Sequence, residues 1–92
     1  MQPPTILVVD DEQLIRWSLS DRLKQEGYRV LEASTAAEAL ERHREGVDLV
    51  LLDYRLPDAD GMSVLKRIKE TSTDTLVIML TAVPPWTPPW KP

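Results

Sequence analysis

The 92-residue sequence contains no cysteine, which excludes disulfides, thiolate catalysis and zinc–thiolate sites. No apolar run approaches the roughly 18 residues needed to span a bilayer. The opening MQPPTILVVDDEQ lacks the basic stretch and cleavage site of a secretory signal, so the cytoplasm is the expected location. Positive charge is not in excess: 11 Lys and Arg against 15 Asp and Glu give a formal net charge of −4. That balance disfavours nucleic acid or an anionic membrane as the main partner. Histidine is limited to His43, inside the charged stretch ERHRE, where a solvated surface position is expected. No internal repeat or low-complexity segment precedes Val83, and the length suits one small domain.

What is present is an alternation of two apolar periods. TILVV (Thr5 to Val9) is a continuous apolar run, as expected for a strand covered on both faces. In the following DDEQLIRWSLSDRLKQEGY, Ile15, Leu19 and Leu23 share one helical face, and Gly27 suits the position just past the helix end. YRVLEA reads as a second strand. Ser34 or Thr35 can cap a helix AAEALERHR, with Glu38 completing a capping box, and Gly46 ends it. VDLVLLD is a third strand, RLPDADG a loop, MSVLKRIKE a helix with Val64, Leu65 and Ile68 inward, and TLVIMLT a fourth strand. The order β-α-β-α-β-α-β predicts an α/β fold with right-handed crossovers and a parallel sheet covered on both faces.

Ligands of such sheets sit beyond the carboxyl ends of the strands, where the chain order reverses. The polar residues expected there are Asp10, Asp11, Asp53 and Thr81. Taken singly, an aspartate after a strand is most often a turn former or a helix cap, and Asp11 could cap the helix starting near Glu12. Threonine is common in strands, Trp17 fits helix-surface packing, and the KRIKE charges fit a solvated face. Convergence is the stronger signal. Parallel strands lie about 4.8 Å apart, so three carboxylates would fall in one cluster. Like charges that close need a compensating cation, and an oxygen-only ligand set suits a hard ion such as Mg²⁺. A divalent ion beside an accessible carboxylate suggests phosphoryl chemistry.

ILVVDDE, DLVLLDYRLPDADGMSVLKRIK and VIMLTA resemble the receiver domain of bacterial two-component response regulators, over roughly Thr5 to Ala82. DDEQLIRWSLSDRLKQEGY is particularly similar to NtrC-type activators. The resemblance implies an incomplete doubly wound parallel sheet of flavodoxin-like fold and a phosphoacceptor in a phosphorelay rather than an enzyme, with any autophosphorylation or autodephosphorylation weak. It implies that Asp53 accepts a phosphoryl group from a sensor histidine kinase. Asp11 and Asp53 would contact Mg²⁺ directly, Asp10 largely through water, and the Arg55 backbone carbonyl would complete the set. Thr81 would be the switch hydroxyl, and Pro57 and Gly61 would shape the loop beyond the phosphoacceptor. The alternative is a non-catalytic interaction module, either a kinase-binding decoy or a proline-rich peptide donor.

The sequence also departs from that family. A receiver has five strands and five helices, and the last helix–strand–helix is missing here, with the family's lysine on the fifth strand. Lys91 cannot be assumed to replace it. The expected division is a partial receiver over 1–82 and a Pro/Trp-rich non-native tail over 83–92. The tail VPPWTPPWKP could form a polyproline II peptide for SH3- or WW-type partners, which are uncommon in a bacterial setting. Translated back into codons and read in the neighbouring frame, PPWTPPWKP allows Ser-Val-Asp-Thr-Ala-Val-Glu-Ala, similar to the start of the fourth helix in NtrC-type receivers. A frameshift near Val83 or Pro84 is therefore the expected origin. The apolar, uncharged fourth strand would become a sheet edge prone to pair with another chain as a homodimer or aggregate, with Trp86 and Trp90 covering apolar surface.

Overall fold

A computed structural model describes residues 2–81. The expectations for the tail, including Trp86, Trp90 and Lys91, lie outside the described residues. The elements are β1 (Thr5–Val9), α1 (Gln13–Gln25), β2 (Arg29–Ala33), α2 (Ala36–His43), β3 (Leu49–Asp53), α3 (Gly61–Thr71) and β4 (Leu76–Thr81). All strand pairs are parallel and the sheet order is β2-β1-β3-β4. This is the parallel α/β architecture that the alternating periods predict, in the incomplete doubly wound, flavodoxin-like form that the resemblance implies, without the last helix–strand–helix among the described residues.

The order follows from crossover handedness. The chain steps from β1 to β2 on one side, then crosses back over β1 to β3 and on to β4. Right-handed connections therefore put α1 on one face and α2 with α3 on the other. The α2/α3 face holds the core, where Leu7, Val9, Val50 and Leu52 pack with Ala36, Ala39, Val64 and Ile68. Leu65, expected inward with Val64 and Ile68, packs at the margin of this cluster.

Local signals explain the helix ends. Gly27 and Gly46 both have φ +94°, the left-handed conformation that stops a helix at low cost when the residue is glycine. At α2, Thr35 Oγ1 accepts from the Glu38 amide at 3.1 Å. The Glu38 carboxylate reaches back to the Ser34 amide at 2.8 Å, one residue earlier than in the usual capping box.

The opposite face is more thinly covered. Ile15, Leu19 and Leu23 lie on α1 as expected, with Ile15 44% exposed and the other two half-buried. The fully buried residue of α1 is Ser20. Helix α1 packs on β2 and β1 and is the only described helix on that face, so its apolar stripe has no second helix to meet. His43 corrects an expectation. It is half-buried, and its Nε2 lies 3.0 Å from Thr75 Oγ1. The Thr75 hydroxyl donates to the Val47 carbonyl, so His43 Nε2–H is the donor in this pair. Burial holds its pKa below the ordinary 6.5. In the KRIKE stretch, Lys66, Arg67 and Glu70 are exposed as expected, whereas Lys69 Nζ donates to the Thr75 carbonyl.

Candidate functional site

The strand order reverses between β1 and β3, the place where an open α/β sheet presents its ligand crevice. Asp10 and Asp11 follow the end of β1, and Asp53 closes β3. One carboxylate oxygen from each of the three lies within 4.8 Å of the others. Asp10 and Asp53 are buried and Asp11 is exposed, so the cluster opens to solvent on one side.

The alternative reading of Asp11 as a helix cap is not what the structure shows. Glu12 is the N-cap of α1, and no side chain caps that end. Instead Asp10 Oδ1 accepts from the Glu12 amide at 2.9 Å, which folds the β1–α1 turn back over the strand end and leaves Asp11 at the mouth. The Asp10 amide donates to the Ala33 carbonyl at 3.1 Å, extending the β1–β2 ladder by one residue.

On the β3 side, the ladder with β4 slips between Leu52 and Asp53. Leu52 pairs with Met79, and Asp53 then pairs with Thr81, skipping Leu80. The backbone of Thr81 is therefore opposite Asp53; its side chain lies outside the described residues. The Arg55 amide approaches Asp53 Oδ1 at 3.4 Å, so this turn wraps the carboxylate and keeps the Arg55 backbone nearby. Gly61 is required by close approach. A Cβ there would sit 2.8 Å from the Asp53 carbonyl oxygen and 2.9 Å from Tyr54 Cα.

One contributor gives no signal in the sequence. Arg16 on α1 donates from a terminal guanidinium nitrogen to the Asp10 carbonyl at 2.8 Å and from Nε to Glu32 Oε1 at 3.1 Å. It thus ties the β1–α1 turn to β2. Its two acceptors come from different elements, so no local spacing marks it.

The electrostatics fit a cation. Burial pushes the Asp10 carboxyl above the ordinary value of 3.8, and the charges of Asp53 and Asp11 push the same way. The Glu12 amide and the Arg16 guanidinium oppose this without cancelling it. An oxygen-only donor set that includes a buried carboxyl resisting ionisation is relieved by a hard divalent ion. The residues present therefore fit Mg²⁺.

The fold and this acidic crevice define a two-component signalling module, and the comparisons agree. The chain belongs to the response regulator receiver domain family, which matches residues 6–84. It is 40% identical over 83 residues to sporulation initiation phosphotransferase F of Bacillus subtilis (strain 168), covering 89% of this chain and 67% of that protein. It spans 36% and 31% of two transcriptional regulators to which it is also similar. Among solved structures, the response regulator TrrA of Thermotoga maritima in complex with Mg²⁺-BeF superposes with a TM-score of 0.82 at 40% identity, over 88% of this chain and 71% of that one. TrrA in complex with the histidine kinase ThkA gives 0.79 at 41% identity, over 86% and 69%. None of these comparisons singles out the NtrC-type branch. Among the described residues, no helix is long and apolar enough to cross a membrane.

Proposed function

We propose that this chain is a phosphoacceptor module of a cytoplasmic phosphorelay, receiving a phosphoryl group on Asp53 from a sensor histidine kinase. The observation that carries the reading is the meeting of Asp10, Asp11 and Asp53 carboxylates within 4.8 Å at the switch point of the sheet. Support comes from relatives solved with Mg²⁺-BeF and with a histidine kinase. Asp11 and Asp53 would hold Mg²⁺ directly, Asp10 through water, with the Arg55 carbonyl as a further ligand. When bound, the ion neutralises charge on the incoming phosphate. Asp53 then attacks phosphorus in line through one carboxylate oxygen. The new oxygen–phosphorus bond forms as the bond to the donor's imidazole breaks, and the pair of electrons leaves with the donor. The Thr81 hydroxyl is assigned to the phosphoryl oxygens as the switch group.

Intact mass after incubation with acetyl phosphate and Mg²⁺ tests this. One phosphoryl per chain is expected for the wild type and none for Asp53→Ala; no gain in either would favour a non-phosphorylated binding module instead.

We further propose that 83–92 is a non-native tail made by a frameshift near Val83 or Pro84, within an NtrC-type receiver. The support is the codon reading of PPWTPPWKP. The gene's nucleotides decide it: the neighbouring frame must continue into receiver sequence. The outer edge of β4 is proposed to pair with a second copy of this chain.

A further inference from the structure

We propose that Asp58 is a positioning residue for this site, holding the loop between β3 and α3 against the N-terminus of α2. The proposal rests on the reading of Asp53 and its neighbours as the Mg²⁺ and phosphoacceptor site.

The loop runs from Tyr54 to Asp60 and carries the Arg55 carbonyl assigned to the metal. Its internal ties close it on itself. Arg55 and Asp60 form an isolated antiparallel bridge, and the Leu56 amide donates to the Ala59 carbonyl at 3.2 Å. At its base the Gly61 amide donates to the Tyr54 carbonyl. Asp60 is committed to α3, where Oδ1 accepts from the Ser63 amide at 2.8 Å. These bonds shape the loop but do not fix its tip relative to the rest of the sheet edge.

Asp58 does that. Its Oδ1 accepts from the Ala36 amide at 2.7 Å and its Oδ2 from the Ala37 amide at 3.0 Å. These are the first two amides of α2, donors with no partner inside their own helix. Both oxygens of one carboxylate are used, so the attachment fixes orientation as well as distance, and a negative charge at a helix N-terminus is electrostatically favourable. Pro57, immediately before, restricts the backbone that delivers the carboxylate. The contact spans 22 residues of chain and joins the loop to a helix whose own cap, Thr35 on Glu38, is already made. Thr35 serves only the Glu38 amide, so Asp58 completes the cap and, because it comes from the β3–α3 loop, tethers that loop as it does so. Fixing the tip also fixes the Arg55 carbonyl three residues away, and ligand geometry is sensitive to displacements of about 0.5 Å.

The experiment is a Mg²⁺ titration followed by backbone amide shifts, paired with thermal denaturation without metal, on the full chain and on Asp58→Ala, Asp58→Asn and Thr35→Ala. Asp58→Ala is expected to weaken Mg²⁺ binding about tenfold, the lower end for loss of a group that supports metal ligands. Asp58→Asn, which keeps one acceptor oxygen, should lose less and carries the test if the alanine variant does not fold. Thr35→Ala removes the helix's own cap, so it should lower the melting temperature while leaving Mg²⁺ affinity within about twofold. Wild-type affinity in both Asp58 variants, or an equal loss in Thr35→Ala, overturns the proposal and makes Asp58 a helix cap only. If the wild type shows no Mg²⁺-dependent shifts that Asp53→Asn abolishes, the site reading itself falls, and the role of Asp58 with it.

Discussion

Asp10 carries an electrostatic cost at the site proposed to hold Mg²⁺. Its folded-state pKa is raised, first by burial and then by the charges of Asp53 and Asp11. Between the ordinary 3.8 and that raised value, the folded chain therefore binds more protons than the unfolded one. Stability must then fall as pH rises through this window and stay lower above it. Removing the charge should help the metal-free protein: Asp10→Asn is expected to gain about 1 kcal/mol at pH 7, in the range common for relieving an unfavourable site. Circular dichroism melts would check it, with the gain shrinking towards pH 4 and Mg²⁺ raising the wild-type melting temperature more than the variant's. A variant less stable than wild type at pH 7 without metal would contradict this account. The acidic residues were legible because each ends an apolar run, whereas Arg16 and His43 were not. Arg16 meets Asp10 and Glu32, and His43 meets Thr75, only through contacts that folding creates.

Among the elements, α3 begins under an unusual constraint. Gly61 is its first residue, and its Cα lies against the backbone that carries Asp53. Alanine in place of glycine near a helix start usually stabilises by about 0.4–1 kcal/mol through the unfolded state. Here the added methyl would meet the Asp53 carbonyl oxygen at 2.8 Å, an atom of a core strand that cannot turn aside. Gly61→Ala is therefore expected to destabilise by about 1–3 kcal/mol, read as a lower urea midpoint, and to weaken Mg²⁺ binding. A midpoint equal to or above wild type would show that the loop yields. The turn itself was readable from RLPDADG; the close approach was not, because it depends on where β3 ends relative to α3. Helix boundaries with a chemical marker, such as Thr35 with Glu38 and the two positive-φ glycines, agree with the sequence reading. The start of α1 has no side-chain cap, and there the reading of Asp11 as a cap gave way to the Asp10 turn.

Across the whole molecule, the two faces of the sheet are unequally covered. On the α1 face, register rows run from β1 outward through Ile6, Leu49 and Leu76, and through Val8, Leu51 and Ile78. Exposure climbs along each row, from 3% at Ile6 to 66% at Leu76 and from 0% at Val8 to 52% at Ile78. Cover by α1 fades with distance from β1, and among the described residues β4 is the sheet edge, with no charged residue or proline between Leu76 and Thr81. Charge and proline, two of the usual devices against edge pairing, are therefore absent from this strand. Sedimentation is expected to show concentration-dependent association that Ile78→Lys reduces by placing a charge on the strand. A stable monomer of the wild type at high concentration would rule the pairing out.

The sequence by itself determined the alternation of strands and helices, the parallel sheet and the polar strand ends, because periodicity and local turn chemistry are properties of neighbouring residues. Tertiary structure alone decided which of those residues meet. The reversal of strand order between β1 and β3 brings Asp10, Asp11 and Asp53 together. The slipped β3–β4 register sets Thr81 opposite Asp53, and the loop contact from Asp58 reaches α2 across 22 residues. These contacts arise from packing elements distant in the chain, and no window of neighbouring residues encodes them.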